Sequence, residues 1–420
     1  MRDGGCRCLW AVAGLFLLTA PSGWAAPAVE ESAEPVDWPT VISKLQQEAY
    51  NRPNGRARQQ LALAHNNYGV VLGTQGQWDL AATQLEEALR LDEANPQYQS
   101  NLGRIRFNQA YEAHQQHRTN DALRYLDEVV VLQPKLVEAY LLRGEIEYGR
   151  QKLKEAKAAW EHARELDPAQ PELTERLAQV SSELPVESKF ERLSQAYFDL
   201  RYEEQQEGPS GFDIRDALLE ARRLIGSDFA YWPSHKTVVL IYSAESFRAL
   251  RQQTPDWVAG QFDGKIRVPL PGRQLDTPAV KRILFHEYTH ALIYDLAKGR
   301  CPVWINEGLA EYEGRKQQST PFVGLTGAHA ANRLIPWTQL SAQFAFSLPV
   351  EQVSLGYEEA CAIFTYFIER YGFWRIRRLL KTLGEGQAWE TALTGELRSK
   401  LPKLEAEWRA WLPEWLDKAR

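Results

Sequence analysis

The stretch "DTPAVKRILFHEYTHALIYDLAKG", residues 276–299, decides how the second half of the chain folds. Its apolar residues, among them Val280, Ile283 and Leu284, recur at helical spacing. A Thr-Pro pair precedes the periodic part and Gly299 follows it, as is typical of the beginning and the end of a helix. The pattern predicts one helix, and "HEYTH", residues 286–290, lies in its middle.

Two histidines and a glutamate on this helix indicate a candidate metal site. His286 and His290 are four residues apart, so both imidazoles project from one helix face and can reach one ion at about 2.0–2.1 Å. Glu287 lies one step round the helix, which suits a base that acts on metal-bound water. The same five residues are compatible with two ordinary half-buried histidines, so the motif alone leaves both interpretations open.

A third candidate ligand follows in "CPVWINEGLAEY", residues 301–312, because Glu307 follows the second histidine after sixteen intervening residues. His-Glu-x-x-His followed by Asn-Glu-Gly-Leu-Ala resembles the gluzincin metallopeptidases, the thermolysin and peptidase MA-like group. The resemblance implies a zinc ion held by His286, His290 and Glu307, with Glu287 as the general base and a fourth position left for water or substrate. The resemblance is close over residues 285–312 and looser over 190–420.

Two further site residues are suggested near these ligands. Glu311 lies four residues after Glu307 and should share its helix face, where its carboxylate could accept a hydrogen bond from a ligand imidazole; the alternative is a solvent-exposed glutamate like Glu313. Tyr357, in "SLGYEEACAIFTYFIERYG", resembles the tyrosine with which some gluzincins stabilise the oxyanion of the reaction. His329, in "GLTGAHAAN", is an alternative for that role.

A small sheet is predicted ahead of the long helix. "QAYFDLRYEE" and "KTVVLIYS" have strand character, "GFDIRDALLEARRLIG" between them has helical period, and "GQFDGKIRVPL" indicates a hairpin with Asp263 and Gly264 at its turn. The hairpin edge could bind an extended peptide by main-chain hydrogen bonds. The chain lacks the Gly-x-Met-Glu-Asn element that aminopeptidases of this group place there, which favours an endopeptidase. Beyond residue 277 the sequence is largely helical.

The first half of the chain, residues 61–184, contains a repeat that aligns on Gly69, Gly103 and Gly144. An alanine follows the first and third glycines after twelve residues, whereas Ala122 in the middle copy lies seven residues farther away. Seven residues are two helical turns, so the insertion lengthens one helix or its loop without rotating its apolar face. The pattern resembles the tetratricopeptide repeat, a helical hairpin of about 34 residues that stacks into a solenoid. Chance spacing of alanines in a helical region is the alternative.

The N-terminus predicts export. Two arginines precede an apolar run at residues 9–18, and Gly23 and Ala25 fit the positions before a signal peptidase cut, so residues 1–25 are predicted as a signal peptide. An uncleaved N-terminal anchor is the alternative. The mature chain then contains two cysteines, Cys301 and Cys361, and both a disulfide and two buried thiols stay open.

Together these patterns predict a multidomain chain: an all-α tetratricopeptide solenoid at residues 61–184, after a linker and leading helix at 26–60, and an α+β gluzincin domain at 188–420 with a small sheet and a mostly helical C-terminal half. The composition, 44% hydrophobic with a formal charge of -6, is that of a globular protein and argues against nucleic-acid binding. We expect no stable membrane insertion after signal cleavage.

The function that the resemblance implies is zinc-dependent hydrolysis of peptide bonds, with Glu287 assisting the attack of zinc-bound water on a protein or peptide substrate. The expected location is outside the cytoplasm, most simply the bacterial periplasm. The solenoid would hold a protein partner or position the second domain. Two alternatives stay open: an inert or latent zinc-binding scaffold that acts through its repeats, and an enzyme with a non-peptide substrate.

Overall fold

The structure is a computed structural model that describes residues 36–52, 54–203, 209–250, 261–262, 264–270, 277–345 and 348–419. The predicted signal peptide lies outside the described residues. The chain divides into two compact units between Ser181 and Ser182, and it is mostly helical with one small mixed sheet. Among the helices of the described residues, none combines the length and the apolar composition needed to cross a membrane.

The described part of the first unit is built from helices. They are α1 Trp38–Asn51, α2 Gly55–Thr74, α3 Trp78–Leu91, α4 Pro96–Gln115, α5 Thr119–Leu132, α6 Val137–Gly149, α7 Leu153–Leu166 and the first part of α8 Pro171–Glu187.

Three helical hairpins repeat along this unit, because α2 packs on α3, α4 on α5 and α6 on α7. Each hairpin turns through three residues, and the middle residue of each turn has a left-handed backbone: Gly76, His117 and Gln151, with φ of 71°, 57° and 59°. The same turn at the same place in three consecutive hairpins indicates one repeated structural unit. The stacked helical hairpins expected from the sequence are therefore present.

The register expected for the middle copy is wrong. Helices α2 and α4 both have 20 residues, whereas α6 has 13, so the seven extra residues lie within the first helix of the first two hairpins rather than in the middle copy alone. Counting back twelve residues from Ala122 gives Ala110, not Gly103. Ala110 is fully buried and occupies the position of the glycines in the other two copies.

The contacts of the glycines explain this shift. A Cβ added to Gly69 would lie 2.7 Å from Cγ of Leu85, so this glycine admits the facing helix of its own hairpin. A Cβ on Gly103 would instead lie 2.5 Å from Nε2 of Gln133, a residue beyond the end of α5. Gly103 therefore makes a different contact from Gly69, and the two glycines are not equivalent positions of the repeat.

The second unit combines strands with helices. Its elements are the end of α8, β1 Glu191–Ser194, β2 Phe198–Tyr202, α9 Gly211–Phe229, β3 Thr237–Ser243, α10 Ala244–Leu250, β4 Gln261–Phe262, β5 Lys265–Leu270, α11 Thr277–Ala297, α12 Val303–Arg315, α13 Val323–Ala330, a 3-10 helix Trp337–Phe344, α14 Val350–Tyr371, α15 Phe373–Gly384, α16 Trp389–Leu397 and α17 Leu401–Lys418.

Among the described residues, five strands form one sheet in the order β1-β2-β3-β5-β4. The three central strands are parallel, with Val239 opposite Ile266, and the two outer strands are antiparallel to their neighbours. β4 and β5 form the predicted hairpin, in which Gly264 has φ +92°, a conformation that glycine adopts readily. Asp263 lies outside the described residues. One face of the sheet packs against α9 and α11, which anchors the long helix.

Helix α12 packs against both α11 and α14, and it approaches α14 closely at Gly308. A Cβ at this position would lie 2.8 Å from the carbonyl oxygen of Ala360 and 2.8 Å from Cδ2 of Phe364. Only glycine allows this separation, so the residue after Glu307 fixes the distance between the two helices. Glu307 is the residue next to this contact on α12.

Candidate metal centre

Three side chains from two packed helices meet at one point. His286 and His290 lie one turn apart on α11, and their Nε2 atoms are 3.1 Å apart. Oε2 of Glu307, on α12, lies 3.4 Å from Nε2 of His286 and 3.5 Å from Nε2 of His290. The structure thus brings together the three residues that the sequence suggested as metal ligands.

The spacing of these atoms fits a zinc ion. In a tetrahedral site with metal–ligand distances of about 2.0–2.2 Å, the ligand atoms lie about 3.3–3.6 Å from one another. The three observed separations of 3.1, 3.4 and 3.5 Å are close to this range. Oε2 of Glu307 is also buried without a hydrogen-bond partner among the described residues, which is costly unless a cation satisfies it.

The electrostatic environment favours positive charge at the same point. Burial alone lowers the pKa of His286, but the carboxylates of Glu307 and Glu311 outweigh burial and raise this pKa to about 10. The pKa of His290 is also raised, because the charge of Glu307 outweighs burial. Burial raises the pKa of Glu307, yet the two histidines bring it well below its usual range. A divalent cation can take the place of the imidazole protons, since metal-bound histidines are neutral.

Each histidine has a different partner for its second ring nitrogen. Nδ1 of His286 lies 3.5 Å from Oε2 of Glu311, and Nδ1 of His290 lies 3.1 Å from Oδ1 of Asn306. In both rings Nδ1 faces an oxygen acceptor, so Nε2 is left to face the centre. Asn306 was not among the site residues expected from the sequence, although its place directly before Glu307 on the same helix was a usable signal.

Glu313 was taken from the sequence as an example of a solvent-exposed glutamate. This expectation is wrong, because both Glu311 and Glu313 are buried. The side chain of Glu313 is 0% exposed and its Oε2 lies 2.8 Å from Nζ of Lys316. Burial raises the pKa of Glu313 to about 7. The two glutamates therefore do not differ in burial. They differ in their neighbours, because Glu311 faces His286 whereas Glu313 faces Lys316.

Glu287 is enclosed beside the three ligand atoms. It is 2% exposed, and its Oε2 has no hydrogen-bond partner among the described residues. Burial raises its pKa, against the opposing effect of the two histidines. A carboxylate with a raised pKa and a free oxygen is suited to accept a proton.

Tyr357 lies on α14 at the edge of the centre. Its ring centroid is 6.4 Å from that of His286 and 5.0 Å from that of Phe344. Burial raises its pKa well above the ordinary value, and the nearby carboxylates, Glu307 first, add to the rise. Tyr357 is thus a protonated hydroxyl donor close to the ligands, whereas His329 lies on α13, which packs on α14.

The two cysteines of the second unit are free thiols. Cys301 lies in the loop before α12 and Cys361 in the middle of α14, and both are unbonded. Burial raises the pKa of both thiols. Of the two possibilities that the sequence left open, the structure has the free thiols.

Comparison with known proteins gives one family match. Residues 273–414 match the Peptidase MA superfamily. The matched segment contains every residue of the centre described above, and it supports the resemblance at the level of that superfamily. No curated protein matches the chain.

Several solved structures are similar to parts of the chain. They include the first TPR of Spaghetti (RPAP3) bound to an HSP90 peptide, at 27% identity over 30% of this chain and 95% of that one, with a TM-score of 0.23. The Arabidopsis OM64 TPR domain is 22% identical over 29% of this chain and 96% of that one, with a TM-score of 0.23. MamA from Desulfovibrio magneticus RS-1 is 18% identical over 36% of this chain and 88% of that one, again with a TM-score of 0.23.

Proposed function

We propose that this protein is a zinc-dependent metallopeptidase of gluzincin type that hydrolyses peptide bonds in a protein or peptide substrate. The observation that carries the proposal is the convergence of His286, His290 and Glu307 at 3.1 to 3.5 Å, with the buried carboxylate of Glu287 beside them. The match of residues 273–414 to the Peptidase MA superfamily supports it.

Each residue of the centre has a separate role in the proposed hydrolysis. His286, His290 and Glu307 would hold zinc, which supplies Lewis-acid chemistry by polarising a carbonyl oxygen and lowering the pKa of water. Glu287 accepts the proton of the attacking water and passes it to the leaving amine. The hydroxyl of Tyr357 donates a hydrogen bond to the oxyanion of the tetrahedral intermediate, where negative charge develops.

The sheet edge supports a substrate bound in extended form. β4 is the outer strand next to β5, and it lies against α11, the helix that carries both histidines. A peptide that adds to this edge by main-chain hydrogen bonds would run beside the centre. Because the chain lacks the aminopeptidase element for a substrate amine, we propose cleavage within a chain rather than at its N-terminus.

The remaining parts of the proposal concern domains and location. We assign residues 1–25 to a signal peptide, 26–60 to a linker and leading helix, 61–184 to a tetratricopeptide domain and 188–420 to the peptidase domain. The helical hairpins would bind a protein partner or the substrate. The apolar N-terminal run behind two arginines supports export, with the bacterial periplasm as the proposed location.

Substitution of the base tests the function directly. Glu287→Gln should retain near-stoichiometric zinc by elemental analysis and lose activity on an unstructured protein by a factor on the order of 100 or more, since general acid–base catalysis contributes about 10²–10⁴-fold. Glu359→Gln is the matched control, because Glu359 is equally buried and its carboxylate faces the backbone of Ile335 instead.

Two outcomes would count against this function. Cleavage by Glu287→Gln at the unaltered rate would show that Glu287 is not the base. Full complementation of a deletion strain by the same variant would favour the alternative of an inert scaffold that acts through its repeats.

A further inference from the structure

Two arginines converge on one oxygen of Glu311. Nη2 of Arg282, on α11, and Nε of Arg315, on α12, each lie 2.7 Å from Oε1 of this carboxylate. The other oxygen, Oε2, is the one that lies 3.5 Å from Nδ1 of His286. The two functions of the carboxylate are thus divided between its oxygens: one is fixed by arginines and the other faces the imidazole.

The spacing of these residues along α11 and α12 brings the two arginines to Glu311. Arg282 precedes His286 by four residues on α11, and Arg315 follows Glu311 by four residues on α12, so each pair shares a helix face. The helices approach closely at this level, because a Cβ on Gly314 would lie 3.0 Å from the carbonyl oxygen of Arg282 and 3.3 Å from Cβ of His286.

Arg315 is itself held in place. Its Nη1 lies 2.5 Å from the carbonyl oxygen of Thr320, and its guanidinium carbon lies 3.9 Å from the ring centroid of Phe322. The side chains of Arg315 and Glu311 are 11% and 10% exposed. A largely covered guanidinium with contacts to Glu311, Thr320 and Phe322 has little freedom, so it can fix the position of the carboxylate that it binds.

Charge alone does not explain two arginines beside a cation site. Each carries a positive charge that opposes a second cation, so by Coulomb's law alone their removal would tighten zinc binding. The loss of orientation would instead weaken zinc binding, because without the arginines the carboxylate of Glu311 is free to rotate away from His286 and no longer fixes its ring. The two effects therefore predict opposite changes in zinc affinity.

We propose that Arg282 and Arg315 are positioning residues that strengthen zinc binding by holding Glu311 against His286. The inference rests on the proposed zinc centre but not on peptidase activity. It extends the site by a second layer of residues, which reaches from the ligand histidine to the segment after α12.

Zinc affinity of the full chain, measured by competition with a chromophoric chelator, tests this proposal. Loss of Glu311, the direct partner of His286, should weaken zinc binding by about 10- to 100-fold. Arg282→Gln and Arg315→Gln should each weaken zinc binding by a part of that factor, because each arginine acts only through Glu311 and the other arginine stays in place. Lys281→Gln is the matched control: Lys281 is the neighbouring residue of the same helix, and its Nζ lies 2.6 Å from Oε2 of Glu220, away from the centre. Its zinc affinity should be unchanged.

A double-mutant cycle separates positioning from a general loss of stability. In a Glu311→Ala background, Arg282→Gln should weaken zinc binding no further, because the residue through which it acts is gone. A purely structural role would instead lower affinity equally in both backgrounds, and that result would overturn the proposal. Unchanged or tighter zinc binding by both single arginine variants would also overturn it.

Failure of the positioning role can be distinguished from failure of the proposed function. If the unsubstituted protein bound no zinc, both would be rejected. If it bound zinc and the arginine variants bound it as well as Lys281→Gln does, only the positioning role would be rejected. Zinc binding that depends on the arginines, together with full activity of Glu287→Gln, would reject the assigned base and leave the positioning role in place.

Discussion

Nδ1 of His290 lies 3.1 Å from Oδ1 of Asn306, so this ring is held by a neutral amide, whereas His286 faces the carboxylate of Glu311. The two histidines have the same side chain and belong to one motif, but their Nδ1 atoms have different partners. An anionic partner increases the basicity of an imidazole more than a neutral one does. His286 is therefore the stronger electron donor of the two, and His290 the ring whose orientation depends on a single hydrogen bond.

Asn306→Ala should weaken zinc binding by about 10-fold, because His290 loses the acceptor that fixes its tautomer. Thermal unfolding in excess chelator should change little, since the lost contact is one side-chain hydrogen bond at a partly buried position. Asn108→Ala, on α4 of the first unit, is the control. Zinc affinity equal to that of the control would show that Asn306 does not orient His290.

Removal of a proposed ligand should abolish the stabilisation that we expect zinc to give to the fold. Zinc at 1,000 times its dissociation constant stabilises the folded state by about 4.1 kcal/mol, and thermal unfolding with and without chelator reads this difference. His290→Ala should show almost no difference, because two of the three ligands do not hold the ion tightly. Glu287→Gln should keep the full difference. A zinc-dependent shift retained by His290→Ala would place the ion elsewhere.

Two of the three proposed ligands could be predicted from the sequence because local geometry sets their spacing. His286 and His290 are four residues apart on one helix, and that pattern defines their separation without knowledge of the fold. Glu307 required the resemblance to a known family, since nothing in the intervening sixteen residues shows that α12 returns to α11. The close approach at Gly308 became apparent only from the structure.

The supporting residues were harder to predict because they depend on two helices at once. Arg282 and Arg315 each obey the four-residue rule on their own helix, but their meeting at Glu311 needs the packing of α11 against α12. The burial of Glu313 could not be predicted for the same reason, because it depends on the elements that pack around its helix. In the repeats, Gly103 shows that a matching residue type at a plausible interval does not guarantee an equivalent position.

Glu359 should make the stability of the second unit depend on pH. Burial raises its pKa to about 8, although the hydrogen bond from Ile335 N–H and the charge of Arg409 favour the ionised form. The folded state therefore retains a proton, between the ordinary pKa of 4.5 and about 8, that the unfolded chain releases. Stability from this group is fully present below the ordinary pKa and is lost as the pH rises toward 8, by at most about 1.4 kcal/mol per pH unit.

Glu359→Gln tests that dependence. The amide oxygen can still accept from Ile335 N–H, but it carries no proton to lose, so chemical unfolding should show a smaller decline in stability between pH 5 and pH 8. Glu369→Gln, at an exposed position of the same helix α14, should leave the decline unchanged. Equal pH profiles for the two variants would show that Glu359 is not the titrating group.

Gly308 and Gly327 should respond to alanine in opposite directions, although both lie within helices. At Gly327 a Cβ meets nothing within 4 Å, so Gly327→Ala should stabilise the protein by about 0.5–1 kcal/mol through the backbone alone. At Gly308 a Cβ would lie 2.8 Å from the carbonyl oxygen of Ala360, and backbone cannot yield as a side chain does. Gly308→Ala should therefore destabilise by about 1–3 kcal/mol, after the helical preference of alanine is offset.

The same substitution should weaken zinc binding, because the helix that must move away from α14 is the one that carries Glu307. Denaturant unfolding in chelator measures the packing cost, and chelator competition measures the displacement of the ligand. Gly327→Ala controls both, since α13 carries none of the three ligands. If Gly308→Ala lost stability yet bound zinc as tightly as Gly327→Ala, the packing of α12 against α14 would not set the position of Glu307, and α11 alone would have to do so.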